Sequence, residues 1–418
     1  NEQYSNSNGD GVKFIDVKNQ IAPRLSASWD VNGDQSLKVF GSAGRYYLQL
    51  PTQVAARAAS RSLSTVQEFT YTGVDAQGLP LGLNPVNTPI SPNNEYGQAK
   101  DPRTVVAKNI KPNYQDEVTI GFEKAYSQDL NFGLKATYRT LGAGIDDTCD
   151  TRKLLAYARA NNISVNPATV PCYIFNPGEG ATIYLIDTNG VGRYVSFSAD
   201  ELGYPKIERK YTAIDLFLEH PLRNNWYGKL NYTWSRSKGN TEGQTRSDSG
   251  QTEIAISALF DFPEFTPGQN GLLPNDRTHQ IKAYGFYEFN QEWSIGANLL
   301  IQSGRPNVCL GTNPASDENL GYGAEYYFCA GKLVPRGSIG RLPWEKRLDM
   351  SLSYKPNLLK GLAIKADVFN LFNSQTPTAR REFYDDGTGE GILANYGEGR
   401  GFTAARSVKL TVEYSKKF

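Results

Sequence analysis

The 418-residue chain carries 44 Lys and Arg against 43 Asp and Glu, and this net charge of +1 gives no electrostatic footprint for nucleic acid. Mean hydropathy is −0.50, and no apolar run approaches the ~18 residues of a membrane-crossing helix, which excludes helical spans. The chain begins at Asn1 with neither Met nor a signal peptide, so the expectation is a mature or truncated piece of an exported protein.

Short alternating segments bounded by turn residues recur along the chain. Residues 21–30 read as a strand, then Val31-Asn-Gly-Asp34 as a turn that tolerates positive φ, then Leu37-Lys-Val39-Phe-Gly41 as the returning strand. Val118, Ile120 and Phe122 alternate with Glu117, Thr119 and Glu123. After a turn at Ser127-Gln-Asp129, Leu130, Phe132, Leu134, Ala136 and Tyr138 alternate with Asn131, Gly133, Lys135, Thr137 and Arg139. A strand face bearing Lys and Arg cannot pack into a dry core, because unpaired buried charge is costly, so these faces predict a water-filled lumen.

The couplet repeats downstream. Ile214, Leu216 and Leu218 lead to a turn at residues 221–225, and Trp226, Gly228, Leu230, Tyr232 and Trp234 return. Ile281, Ala283, Tyr287 and Phe289 lead to Trp293, Ile295, Ala297, Leu299 and Ile301; Leu348, Met350, Leu352 and Tyr354 lead to Leu362, Ile364, Ala366 and Val368. The last segment sets Val408, Leu410, Val412, Tyr414 and terminal Phe418 on one face and Lys409, Thr411, Glu413, Ser415 and Lys417 on the other, with Lys416 on the apolar side. At a membrane rim the Lys416 stem can snorkel to water. The expected fold is an all-β antiparallel transmembrane barrel of about eleven strands, each near the ~9–11 residues of a tilted barrel strand.

Short turns alternate with long connections at roughly 48–110, 141–205, 239–277, 305–344 and 372–403, rich in Gly, Pro, Asn and Asp. Barrels of the outer membrane have short periplasmic turns and long extracellular loops, which places the chain end in the periplasm. Trp226, Trp293 and Tyr414 at one set of strand ends, and Trp234 and Tyr138 at the other, predict two interfacial aromatic belts. Because bacterial barrels have even strand numbers, about eleven strands predict either a further strand near residues 11–17 or a missing N-terminal half.

The runs Ala22-Pro-Arg-Leu25 through Trp29-Asp30, Asp367-Val-Phe-Asn-Leu-Phe-Asn373 and terminal Phe418 resemble the closing half of a TonB-dependent outer-membrane receptor. Tyr232-Thr-Trp-Ser-Arg-Ser-Lys-Gly-Asn240 with Glu242-Gly243, Leu273-Pro-Asn-Asp-Arg-Thr-His279, and Pro335-Arg-Gly337 with Gly340-Arg341 and Pro343-Trp344 are similar to the Oar-like branch. The resemblance implies a barrel of about 22 strands, of which residues 1–418 would be the C-terminal half. It also implies a plug and a TonB box outside this chain, the TonB energy-transducing complex and outer-membrane lipid as partners, and recognition of the last strand by the barrel-assembly machinery. The function it implies is energised movement of a ligand, peptide or protein, siderophore or carbohydrate, across the outer membrane of a Gram-negative bacterium. The alternatives are a passive channel with a smaller complete barrel and a surface adhesin.

Cys149 and Cys172 fall in one long connection, and Cys309 and Cys329 in another. Even number and local pairing in an oxidising compartment favour two disulfides; a zinc site is the alternative, without a C-x-x-C and with only His220 and His279 to help. Asp146, Asp147 and Asp150, and Glu382, Asp385 and Asp386, lack calcium-loop spacing and read as solvated loop faces. Gly387, Gly389 and Gly391 read as flexible loop, and Leu333-Val-Pro-Arg-Gly-Ser338 as a native match to a thrombin site. Nothing like G-x-S-x-G accompanies the Ser, His and Asp residues, so no enzyme, metal or cofactor is expected, and the transported substrate is left open.

Overall fold

The computed structural model describes residues 2–5, 11–59, 66–89, 100–243, 245–251, 257–315, 323–387 and 391–415. Eleven long strands follow one another in a single antiparallel sheet: β1 (Arg24–Asp30), β2 (Leu37–Tyr47), β3 (Tyr114–Ser127), β4 (Leu130–Ala143), β5 (Arg209–Arg223), β6 (Trp226–Gly239), β7 (His279–Glu288), β8 (Trp293–Gln302), β9 (Glu345–Tyr354), β10 (Leu362–Phe369) and β11 (Ser407–Tyr414). Each pairs with its neighbours in chain order, and β1 and β11 form the two ends of the path. A short strand, Gly271–Leu272, adds to the outer end of β6.

Register separates two solvents. One row of cross-strand partners runs Val39, Phe122, Leu134, Leu216, Tyr232, Ile281 and Ile301. These belong to one face of the sheet, on which Val118, Ile120, Leu134, Ile214, Leu216, Leu352, Val408, Leu410 and Val412 are all exposed, as on the outer side of a membrane barrel. The alternate face carries ion pairs between neighbouring strands: Lys38 Nζ to Glu123 Oε2 at 2.6 Å, Lys135 Nζ to Asp215 Oδ2 at 3.2 Å, and Lys229 Nζ to Glu219 Oε2 at 2.8 Å. Two glycines let aromatic rings lie flat on this inner wall. A Cβ on Gly121 would come within 2.7 Å of the Phe40 ring, and one on Gly133 within 2.5 Å of the Phe217 ring.

The inner turns are short for local reasons. Between β5 and β6 only Asn224 and Asn225 intervene, both at positive φ (52° and 67°), the conformation a two-residue hairpin with matched twist requires. Between β1 and β2 the Asp30 carboxylate accepts from the N–H groups of Gly33 and Gln35. At this edge His220 stacks on Trp226 at 3.5 Å and Trp293 on Tyr354 at 4.4 Å. At the opposite edge His279 lies between Tyr232 and Trp344. Two aromatic belts therefore bound the sheet.

Residues 11–17 do contain a strand, Lys13–Val17, but it pairs with Glu2–Ser5 and stays outside the large sheet. Phe418, Lys416 and Gly389 lie outside the described residues; the described part of the terminal strand pairs Val408 with Val368, Leu410 with Ala366, Val412 with Ile364 and Tyr414 with Leu362.

Candidate functional site: a folded loop cap

The five outer connections, L1 (48–113), L2 (144–208), L3 (240–278), L4 (303–344) and L5 (370–406), are not the irregular loops that their Gly, Pro and Asn content suggests. L1 contains the helix Thr52–Ala59 and L2 the helix Arg152–Ala160. L2 also contains a hairpin, Ala181–Ile186 with Gly192–Phe197. Backbone bonds join one loop to the next: Ile174 N–H donates to Val105 O at 2.7 Å, Cys149 N–H to Asp261 O at 3.1 Å, and Leu310 N–H to Glu382 O at 2.8 Å. Phe175, Ile183, Leu259, Phe260, Val308, Leu310 and Tyr327 share one apolar core drawn from L2, L3 and L4. A second core joins Phe14, Ile15 and Val17 to Leu50, Val54, Ala58, Ile145 and Ile174. Apolar burial, at about 25 cal/mol per Å², holds neighbouring loops of the cap together at these cores.

The segments quoted for the family resemblance meet at the base of this cap. Asp276 Oδ2 receives Arg341 Nη2 at 2.5 Å, and Asp276 Oδ1 receives the Ser237 N–H at 2.6 Å. Arg341 also donates to Thr278 Oγ1 at 2.8 Å. Asn240 binds Glu208 N–H through its Oδ1 (2.7 Å) and Lys206 O through its Nδ2 (2.9 Å). In L5, Asn370 adopts φ 49° and ties Asp349, Ser374 and Ala404 together, so the Asp-Val-Phe-Asn-Leu-Phe-Asn run turns strand β10 into its loop.

Above that base lies a buried charge network that crosses L3, L4 and L5. Asp248 receives Arg336 Nη2 at 2.6 Å and Tyr327 OH at 3.1 Å. Arg305 Nη2 reaches Glu382 Oε2 at 2.7 Å, and Arg246 Nη1 reaches Glu325 Oε2 at 2.5 Å. In the fully buried Arg336–Asp248 pair, removing one charge leaves the other poorly compensated in a dry environment. Burial pushes the Glu382 carboxyl up to about 7, against the opposing pull of Arg305. Asp248 and Glu382 also floor a cleft of about 640 Å³ whose mouth carries Phe383, Arg381 and Arg400.

Two sequence expectations need correction. Asp146 and Asp147 are buried, not solvated: Asp146 accepts from Ser257 Oγ at 2.8 Å and Asp147 from Arg57 Nη2 at 2.9 Å. Burial raises both, Asp147 to about 6 and Asp146 well above the usual carboxylate range, with the neighbouring Asp147 charge adding to it. Asp150 is buried too and holds Arg152 at 2.7 Å. Glu382 and Asp385 are likewise buried, the latter accepting from Thr312 Oγ1 at 2.7 Å, whereas Asp386 is exposed. The reason is that loop neighbours far along the chain bring Ser, Thr and Arg donors to these acids.

Cys149 meets Cys172, and Cys309 meets Cys329, at disulfide distance, each pair closing one loop. Asp147 lies beside the first pair, whose two sulfurs are at bonding distance from each other. Sequence reasoning did not single out Arg246, Asp248, Arg305 or Glu325. The one available signal was Arg336, inside the quoted Pro335-Arg-Gly337 motif.

An antiparallel sheet with an exposed apolar side, a charged inner side, tight inner turns and a folded outer cap defines an outer-membrane β-barrel protein. The chain belongs to the outer membrane beta barrel domain family, whose model matches residues 3–306, and it is a protein of the outer membrane. It is similar to the TonB-dependent transporter Oar of Myxococcus xanthus, 28% identical over 393 residues, a match covering 88% of this chain and 33% of the relative. The chain thus spans about a third of that relative's length. Among solved structures it shares its fold with the outer membrane transporter YddB from Escherichia coli, with a TM-score of 0.52, 14% identity, and coverage of 94% of this chain and 40% of that one.

Proposed function

We propose that residues 1–418 are the C-terminal half of the barrel of a TonB-dependent transport receptor, whose outer cap receives a ligand that is then moved across the outer membrane with TonB-derived energy. The observation that carries this reading is the eleven-strand sheet whose end strands β1 and β11 each pair on one side only, beneath loops knitted into a single cap. An unpaired edge in a bilayer leaves N–H and C=O groups unsatisfied at several kcal/mol each, so both edges call for further strands. The similarity to Oar supports the energised class. In this reading the charged inner wall, a concavity of about 870 Å³ bordered by Lys38, Glu123, Lys135, Asp215 and Lys229, faces a plug carried by the same polypeptide. Strand β11 is the segment the barrel-assembly machinery would recognise, and the ligand is a peptide, protein, siderophore or carbohydrate.

The full-length gene product provides the test. The expected result is an outer-membrane protein that shifts on gels after heating, whose ligand transport is abolished by deletion of its TonB-box segment or by a protonophore. A correctly inserted barrel with transport indifferent to both treatments would establish a passive channel instead.

A further inference from the structure

The apolar side of the sheet changes character where it approaches the cap. On β5 that side runs from Leu216 and Ile214 to Thr212 and Lys210, and on β6 from Tyr232 and Trp234 to Arg236 and Lys238, because every second residue of a strand returns to the same face. Register brings the two ends together: Ile214 stands opposite Trp234, Thr212 opposite Arg236, and Lys210 opposite Lys238. Tyr138 and Thr140 of β4 extend the same rows beside Thr212 and Lys210. Lys210, Thr212, Arg236 and Lys238 are exposed, whereas Ala213, Ser235 and Ser237, which point the other way, are buried. Three basic side chains therefore stand together directly above the apolar band.

The protein itself does little to balance these charges. Like charges directly opposite each other in an antiparallel pair are destabilising, as Lys210 and Lys238 are here. Lys210 Nζ lies 3.9 Å from Glu208 Oε2, at the limit of an ion pair, with both side chains about half exposed (56% and 43%). Arg236 and Lys238 have no carboxylate at ion-pair distance among the described residues. Asp116, next along the row beyond Thr140, is already engaged by Arg45 through two bonds of 2.8 and 2.9 Å. Position selects the partner that supplies the missing negative charge. Lys238 stands four residues beyond Trp234, ~13 Å along the strand, on the face that meets lipid and at the level where the aromatic belt ends. Headgroups of the outer leaflet lie there, and in a Gram-negative outer membrane that leaflet is built from phosphorylated glycolipid. Arg forks a phosphate through paired N–H groups, Lys adds a point charge, and the Thr140 and Thr212 hydroxyls add donors between them.

We infer that Lys210, Arg236 and Lys238 form a seat for the phosphate groups of an outer-leaflet glycolipid, whose acyl chains run down the flank of the barrel along Ile214 and Trp234. The seat is the same whether transport is energised or passive. The test uses the purified full-length protein in detergent, titrated with lipid A, with lipid A stripped of its phosphates, and with inorganic phosphate, the bound lipid being counted by native mass spectrometry. The expected result is saturable binding of lipid A, about tenfold weaker for the dephosphorylated form and untouched by inorganic phosphate at the same concentration. The combined Lys210→Gln, Arg236→Gln and Lys238→Gln variant should bind lipid A about tenfold more weakly, whereas Lys282→Gln, on the inner wall opposite Asn231, should bind it as the parent does. Each variant is first checked for the heat-dependent gel shift of a folded barrel. If the combined variant lacks it, Lys238→Gln alone is read in its place, with a smaller loss expected. Equal affinity for the two lipids, or unchanged binding by a folded variant, overturns the seat. Competition by inorganic phosphate would mark a free-anion site and overturns the lipid assignment as well.

Discussion

Asp276 and Arg341, 65 residues apart in the chain, meet at 2.5 Å where the outer ends of β6, β7 and β9 give way to loops. Asp276 is buried and also holds the Ser237 backbone N–H, so one carboxylate joins the outer end of β6, the end of L3 and the end of L4. Asp276→Ala removes the carboxylate that pairs with Arg341 and leaves the buried Ser237 N–H without its acceptor. The expected loss is about 3–5 kcal/mol, read as a lower urea midpoint of the refolded barrel. Asp276→Asn keeps an acceptor for Ser237 and should lose visibly less; equal losses would show that the Ser237 bond is immaterial.

The Leu333-Val-Pro-Arg-Gly-Ser338 run should resist thrombin in the folded protein. Arg336 is fully buried and bound to Asp248 at 2.6 Å, so the side chain a trypsin-like protease must seat in its specificity pocket is not available. Folded protein should stay intact between Arg336 and Gly337, and urea-unfolded protein should be cut there. Cleavage at equal rates in both states would contradict the burial.

The cap should loosen as pH rises through neutrality. Glu382 sits at about 7 and Asp147 at about 6 in the folded chain, both above ordinary carboxylates. The native state therefore binds more protons than the unfolded one between ~pH 4.5 and ~7, and stability falls across that window as pH rises. Hydrogen-exchange protection in L5, taken relative to the intrinsic base-catalysed rate at each pH, should be greater at pH 5 than at pH 8, and Glu382→Gln should flatten the L5 part of that dependence. Exchange protection that increases with pH would reverse the assignment.

Strand register gives a paired test. Leu134 lies on the lipid face between Phe122 and Leu216, and the adjacent Lys135 points to the inner wall beside Asp215 at 3.2 Å. Leu134→Arg should cost about 2–4 kcal/mol near the bilayer midplane. Lys135→Gln, which breaks a solvated ion pair, should cost under about 1 kcal/mol. Folding into lipid vesicles measures both, and equal losses would disprove the register.

Each disulfide closes a single loop, with sequence separations of 23 for Cys149–Cys172 and 20 for Cys309–Cys329. In the chain-entropy account a loop of this size constrains the unfolded chain by roughly 3 kcal/mol. The barrel strands lie outside both loops, so Cys309→Ser with Cys329→Ser should raise proteolysis and exchange in L4 while leaving heat-modifiability intact. Loss of the heat-dependent gel shift would mean that the cap and the sheet unfold together.

Alternation alone made the strands legible, because a strand between lipid and water must change chemistry at every residue. The turns were legible for the same local reason: Asn224 and Asn225 tolerate the positive φ that their hairpin needs. The acids of the cap were not. Asp146 and Glu382 look like solvated loop residues until Ser257, 111 positions away, and Arg305, 77 positions away, are brought against them.

By itself, then, the sequence determined the membrane environment, the strand register, the short-turn and long-loop asymmetry and the family, all of which rest on interactions a few residues apart. Only the tertiary structure decided that the polar, glycine-rich connections pack against one another around separate apolar cores and a buried ion network. Those contacts pair residues from different loops, and a charge's worth depends on the dielectric around it, which no single stretch of chain encodes.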